Sequence, residues 1–121
     1  FRLGTDAEGA REILDLARAH EEAGAFSLVL EHVPANLASE VTRELEIPTI
    51  GIGAGPECDG QVLVVDEVLG LSERTAPFSK AWGDVRGEMQ QAIEGYRDDV
   101  ESGAFPADEH SHYESELEDV Y

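Results

Sequence analysis

Three short apolar runs constrain this chain more than any other feature: Phe26-Ser27-Leu28-Val29-Leu30, Thr49-Ile50-Gly51-Ile52 and Gln61-Val62-Leu63-Val64-Val65. Each has the length of a strand and too little polar alternation for a strand with one wet face. Such runs belong to parallel sheets, which are covered on both sides. Helical spacing fills the intervals between them. Thr5-Asp6-Ala7-Glu8 has the form of a capping box, with Thr5 accepting from the backbone N–H of Glu8, and Ala10, Ile13, Leu14 and Ala17 then share one helical face as far as a C-terminal Gly24. Pro34 suits the first turn of a second helix in which Leu37, Val41 and Leu45 repeat until Ile47-Pro48 stops it. Helix, strand, helix, strand, loop, strand is the order of a parallel α/β fold.

The remainder is less regular. Residues 66–81 read as a long loop with one short helix, and Gly83-Asp84 opens a long helix striped by Val85, Met89, Ile93, Tyr96 and Val100. Ser102-Gly103 closes that helix before Pro106. Three parallel strands leave a sheet with unpaired edges and a bare face, so something must complete it. The C-terminal portion of a (β/α)8 barrel fits, with residues 1–106 as the barrel segment and 107–121 as an acidic tail. The start at Phe1, without an initiator Met, fits the expectation that these residues are a piece of a longer protein.

Charge narrows the partners. Twenty-seven Asp and Glu against eight Lys and Arg give a net −19, a field that repels nucleic acid and anionic lipid surfaces and leaves small molecules as expected ligands. Because 41% of the residues are hydrophobic and fall into clear periods, the chain is a folded domain with an acidic surface rather than a disordered polyanion. A single Lys, Lys80, beside that density of carboxylates suggests adaptation to a salty cytoplasm, where screening removes their mutual repulsion. Cys58 is the one cysteine and fits a reducing compartment. No apolar run approaches the roughly 18 residues of a membrane span and no signal peptide is visible, so a cytoplasmic location is expected.

In parallel α/β folds the chemistry gathers just past the carboxyl ends of the strands. Glu31 and His32 follow the first strand. A carboxylate there must be paired, metal-bound or put to use, and burial would favour its neutral form and suit Glu31 to acid–base work. His32 is more often a packing or surface residue. Gly51, Gly53 and Gly55 alternate around the end of the second strand, where they would leave room for substrate, a tight turn or a phosphate. Asp66 follows the third strand as a metal or hydrogen-bonding candidate, or as an ordinary loop acid. Glu109-His110-Ser111-His112 has the outline of a zinc site, although histidines in an acidic tail are usually solvated. Cys58 has no evident base to make it a nucleophile.

Taken together, Leu28-Val29-Leu30-Glu31-His32-Val33-Pro34, Ile47-Pro48-Thr49-Ile50-Gly51-Ile52-Gly53-Ala54-Gly55, Cys58-Asp59-Gly60-Gln61-Val62-Leu63-Val64 and Val100-Glu101-Ser102-Gly103-Ala104-Phe105-Pro106, continuing to Glu109-His110-Ser111, resemble the C-terminal half of the ketopantoate hydroxymethyltransferases. The resemblance covers roughly residues 5–111. It implies a (β/α)8 barrel, usually decameric, that transfers a hydroxymethyl group from 5,10-methylenetetrahydrofolate to 3-methyl-2-oxobutanoate with Mg²⁺, on the route to pantothenate and coenzyme A. It also implies that Glu31, in the Leu-Glu-x-Val-Pro segment, is the general base. The family's Mg²⁺ ligands and its substrate-binding Ser and Lys would lie in an N-terminal half outside this chain, so the 121 residues alone are expected to be inactive. Two other readings stand beside it. One is a Mg²⁺-dependent carbon–carbon lyase of the phosphoenolpyruvate/isocitrate-lyase type, whose cysteine motif would have to lie upstream. The other is a non-catalytic acidic domain that completes its sheet on a partner chain.

Overall fold

The computed structural model describes residues 3–121 and divides after Gly83 into two compact units. The first unit holds α1 (Ala7–Glu22), β1 (Leu28–Glu31), α2 (Ala35–Glu44), β2 (Thr49–Ile52), β3 (Gly60–Gln61) and α3 (Val65–Leu69). Its sheet runs β1-β2-β3 with both pairings parallel, the α/β architecture expected of part of a barrel.

α1 begins one residue later than the capping box implied. Asp6 is the N-cap, its carboxylate accepting from the backbone N–H of Gly9 at 2.7 Å. A carboxylate holds the positive end of a helix better than the Thr5 hydroxyl does, and Gly9 has no side chain to reach back. At the other end Gly24 adopts φ 100°, and the N–H groups of Gly24 and Ala25 donate to the carbonyls of Glu21 and His20. Those two bonds close the helix in a Schellman turn. Glu21 then caps the start of the next connection, its Oε2 accepting from the N–H groups of Glu46 and Ile47 at 2.7 and 3.0 Å.

The core lies between α1, α2 and one face of the sheet. Val41 and Ala38 of α2 are fully buried among Leu37, Leu45, Leu30 and Ala17. Each large apolar side chain removed from water there contributes about 1.5–3 kcal/mol. Across the β1–β2 ladder Leu28 pairs with Thr49 and Leu30 with Gly51, while Val29 pairs with Ile50 and Glu31 with Ile52. Because successive side chains point to opposite faces, Leu30 and Thr49 are buried toward the helices, and Val29, Glu31, Ile50 and Ile52 share the other face. That second face is open: Val29 is 59% exposed.

Two strands differ from the sequence reading. β1 runs Leu28–Glu31 rather than Phe26–Leu30, and Phe26 is 88% exposed. β3 is reduced to Gly60–Gln61; Val62 still donates to the Gly51 carbonyl, but Val62 and Val64 are exposed and Val65 already belongs to α3. β1 and β3 are the two edges of the sheet, and an apolar run becomes a long strand only where a neighbour takes its hydrogen bonds.

The loop that joins β2 to β3 is fastened by its own polar side chains. Asp59 Oδ2 accepts from the Thr49 N–H at 2.9 Å and from the Thr49 hydroxyl at 3.4 Å, and the Asp59 N–H donates to Thr49 Oγ at 3.3 Å. The Thr49 hydroxyl also meets Thr42 Oγ at 2.7 Å, which ties the loop to α2. Gln61 closes the other side by donating to the Gly55 carbonyl at 2.9 Å.

In the second unit α4 (Val85–Ser102) is capped by Asp84, whose side chain accepts from Gly87 N–H, and ends at Gly103 with φ 81°. Its apolar stripe of Met89, Ile93, Tyr96 and Val100 is exposed. Phe105 lies between Tyr96 and His110, at ring separations of 5.9 and 4.8 Å, and two 3-10 turns, Asp108–His110 and Ser115–Leu117, follow.

Eight cationic side chains leave 19 of the 27 carboxylates without a counter-charge in the chain. The ion pairs are exposed ones, such as Arg18 with Asp15 at 3.3 Å and Arg97 with Asp98 at 3.0 Å, a type worth at most about 1 kcal/mol. The melting temperature is therefore expected to rise as KCl increases from about 0.1 to 1 M, over which the screening length falls from about 10 to 3 Å. A melting temperature flat across that range would count against salt adaptation.

Candidate functional site

The carboxyl ends of β1 and β2 lie side by side, and the sequence candidates distribute unevenly around them. Glu31 is the last residue of β1 and projects from the open face of the sheet, opposite the helices. It is exposed, so the burial expected at a strand end is absent within this chain. His32 follows with φ 52°, unusual for a residue with a side chain, while its N–H donates to the Ile52 carbonyl at 2.8 Å. The ladder is thereby extended one bond past Glu31, which fixes the carboxylate's base in the strand. Beside β1's unpaired edge runs an apolar trough of about 760 Å³, between Ile13 and Ala17 of α1, Leu28 and Leu30 of β1, and Pro77 and Phe78. Glu31 and His32 sit at its rim.

The glycines serve packing. A Cβ built at Gly51 would stand 3.0 Å from Cys58 Sγ, one at Gly53 would stand 2.5 Å from the Phe78 ring, and one at Gly55 would meet Ala35 at the start of α2. Gly53 and Gly55 also adopt φ 68° and 80°, a region that side chains disfavour. Part of the room these residues leave is thus taken by protein neighbours and by the turn.

Asp66 does not end a strand. It lies in the first turn of α3, and its backbone carbonyl accepts from Leu71 N–H at 2.8 Å. The sequence reading placed it wrongly because β3 stops at Gln61. Cys58 is half-buried against the core beside Gly51, a packing position. The two histidines of the tail are engaged separately: His110 Nδ1 accepts from Ala107 N–H at 3.1 Å and its ring packs at a tilt against Phe105, whereas His112 Nε2 meets Glu114 Oε1 at 2.6 Å. Among the described residues no group of three or more His, Cys, Asp or Glu is placed to hold a metal ion, so the zinc reading fails. Nor do these residues fit a Mg²⁺ site.

The sequence reading missed two residues of this region. Asp59 anchors the buried Thr49, and Phe78 covers Gly53; the first was visible as a short polar residue before a glycine, the second had no local signal because its partners are 25 and 46 residues away.

Residues 2–108 match the family model of ketopantoate hydroxymethyltransferase. The chain belongs to that family. It is 74% identical over its whole length to 3-methyl-2-oxobutanoate hydroxymethyltransferase of Natronomonas pharaonis, covering 45% of that protein. The protein of the same name from Halobacterium salinarum is 62% identical over all 121 residues, with 44% of it covered, and that of Pyrobaculum islandicum is 51% identical over 111 residues, with 42% covered. The chain thus spans less than half the length of these relatives. Several of them come from halophilic archaea, in keeping with the acidic composition. Membership of the hydroxymethyltransferase family favours the transferase over the lyase and partner-domain readings. No helix among the described residues is long and apolar enough to cross a membrane.

Proposed function

We propose that the whole protein transfers a hydroxymethyl group from 5,10-methylenetetrahydrofolate to 3-methyl-2-oxobutanoate, giving 2-dehydropantoate, and that Glu31 is its general base. One observation supports the role of Glu31 above the others. Of the acids singled out in the sequence, Glu31 alone stands at the carboxyl end of a parallel strand, on the face that carries no helix. The C3 hydrogen of the keto acid lies next to a carbonyl, so its removal leaves an enolate. Glu31 takes that proton, C3 bonds to the methylene carbon as that carbon's two C–N bonds to the folate break, and water supplies the hydroxyl, so that tetrahydrofolate leaves.

Mg²⁺ belongs to the proposal as the cation of the whole protein, held by residues in the stretch that the relatives have and this chain does not span. The barrel is likewise completed there, with a strand along the free edge of β1. A homo-oligomer, a decamer by the family resemblance, and a cytoplasmic location complete the reading.

The test is exchange of the C3 proton of 3-methyl-2-oxobutanoate in D₂O at high KCl, followed by NMR on the full-length protein without any folate. Exchange that requires Mg²⁺ is the expected result. A folded, Mg²⁺-supplied protein that leaves the C3 signal intact would remove the chemical basis of the reading. The 121 residues alone are expected to give no exchange, because they hold the base without a metal site.

A further inference from the structure

We propose that Phe78 is a specificity-determining residue of the Glu31 site, its ring forming the apolar wall that limits the size of the alkyl branch on the 2-oxo acid. This inference rests on the reading of Glu31 as the base.

Four placements carry it. The Phe78 ring lies directly over Gly53, where a Cβ would fall 2.5 Å from Cγ and Cδ1 and 3.0 Å from Cδ2. A glycine at the end of β2 is what lets the ring settle onto the backbone there. The same ring packs against His32, centroid to centroid 5.2 Å with the planes tilted by 57°, and His32 is the neighbour of Glu31. Its segment is tethered from α3, where Glu67 Oε1 accepts from the Ala76 N–H at 2.8 Å. Finally, Phe78 borders a cleft of about 370 Å³ that is lined by His32, Pro34, Gly53 and Gly55. Phe78 thus spans the carboxyl ends of β1 and β2 from a chain segment outside the sheet.

The chemistry explains why a wall is needed at that place. A base that removes the C3 proton must touch C3, and C3 of the acceptor carries the alkyl branch. The branch therefore lies within a bond or two of Glu31 and requires an apolar surface. Ile52, the cross-strand partner of Glu31, supplies part of one from the sheet, while His32 and the run Gly53-Ala54-Gly55 add little. Phe78 supplies a large apolar side chain from outside the sheet, half-buried and held on two sides by His32 and Gly53. An aromatic ring pinned in this way fixes a boundary, and one methylene at such a boundary changes discrimination by about 10–200-fold.

The experiment compares C3 proton exchange of 3-methyl-2-oxobutanoate with that of 3-methyl-2-oxopentanoate, one methylene longer, in the full-length protein and in its Phe78→Leu and Phe78→Ala variants. The wild type is expected to prefer the shorter acid. Phe78→Ala should lower the kcat/KM ratio of shorter to longer acid by about tenfold or more, with Phe78→Leu between, through a gain on the longer acid. If the alanine variant does not fold, the leucine variant decides, and a ratio within about twofold of the wild type overturns the inference. So does an equal loss on both acids in a folded variant, which would mark Phe78 as structural. A wild type that exchanges neither acid would overturn the reading of Glu31 and this inference with it, whereas a wild-type exchange whose acid preference survives both variants overturns the role of Phe78 alone.

Discussion

Replacing Glu31 by Gln in the full-length protein is expected to slow exchange of the C3 proton of 3-methyl-2-oxobutanoate by about 10²–10⁴-fold, the contribution of a positioned general base. Gln keeps the shape of the side chain and its hydrogen-bonding reach but has no basic oxygen to receive the proton. The loss should fall on kcat, with KM little changed, since the group acts when the C–H bond breaks. Glu31→Asp keeps the carboxylate but withdraws it by one methylene, so an intermediate rate is expected. Wild-type exchange in the Gln variant would show that another residue is the base. An unfolded variant would be recognised by its melting curve, and the aspartate variant would then decide.

The second large effect concerns stability. Asp59→Ala is expected to cost about 2–3 kcal/mol, the range for a charged hydrogen-bond partner whose removal strands a buried donor. The donor is the Thr49 N–H in the middle of the sheet, and Thr49 is completely buried. For a protein of a few hundred residues this corresponds to a fall in melting temperature of roughly 5–10 °C. Asp59→Asn retains an acceptor oxygen and should lose about half as much. Asp66→Ala, at an exposed helix start, should change stability by less than about 0.5 kcal/mol. Equal melting temperatures for Asp59→Ala and the wild type would mean that the Asp59–Thr49 contacts do not hold the β2–β3 loop.

These two acids show how far the sequence could be read. Asp66 looked like a strand-end group because Val62–Val65 looked like strand, and the position of the third strand's end decided the matter. Asp59 was quoted within a family motif, yet its work became apparent only when Thr49, ten residues earlier, was seen to lie against it. Glu31 was legible from the start. Its position follows from local information, an apolar run followed by a carboxylate, and from the rule that parallel strands present chemistry at their carboxyl ends.

What the sequence by itself determined is the succession of elements and the face each one buries. Leu37, Val41 and Leu45 recur at helical spacing and are buried together; Leu28 and Leu30 alternate with Val29 and Glu31 and face opposite ways. Periodicity is a property of neighbours along the chain, so it survives without the fold. Only the tertiary structure decided how long each strand runs, that Asp6 displaces Thr5 as the cap of α1, and that Cys58, Phe78 and Ala35 fill the space beside the three glycines. Strand length depends on whether a second strand is present to take the hydrogen bonds. The occupant of a space beside a glycine comes from wherever the chain returns, and no local pattern records either.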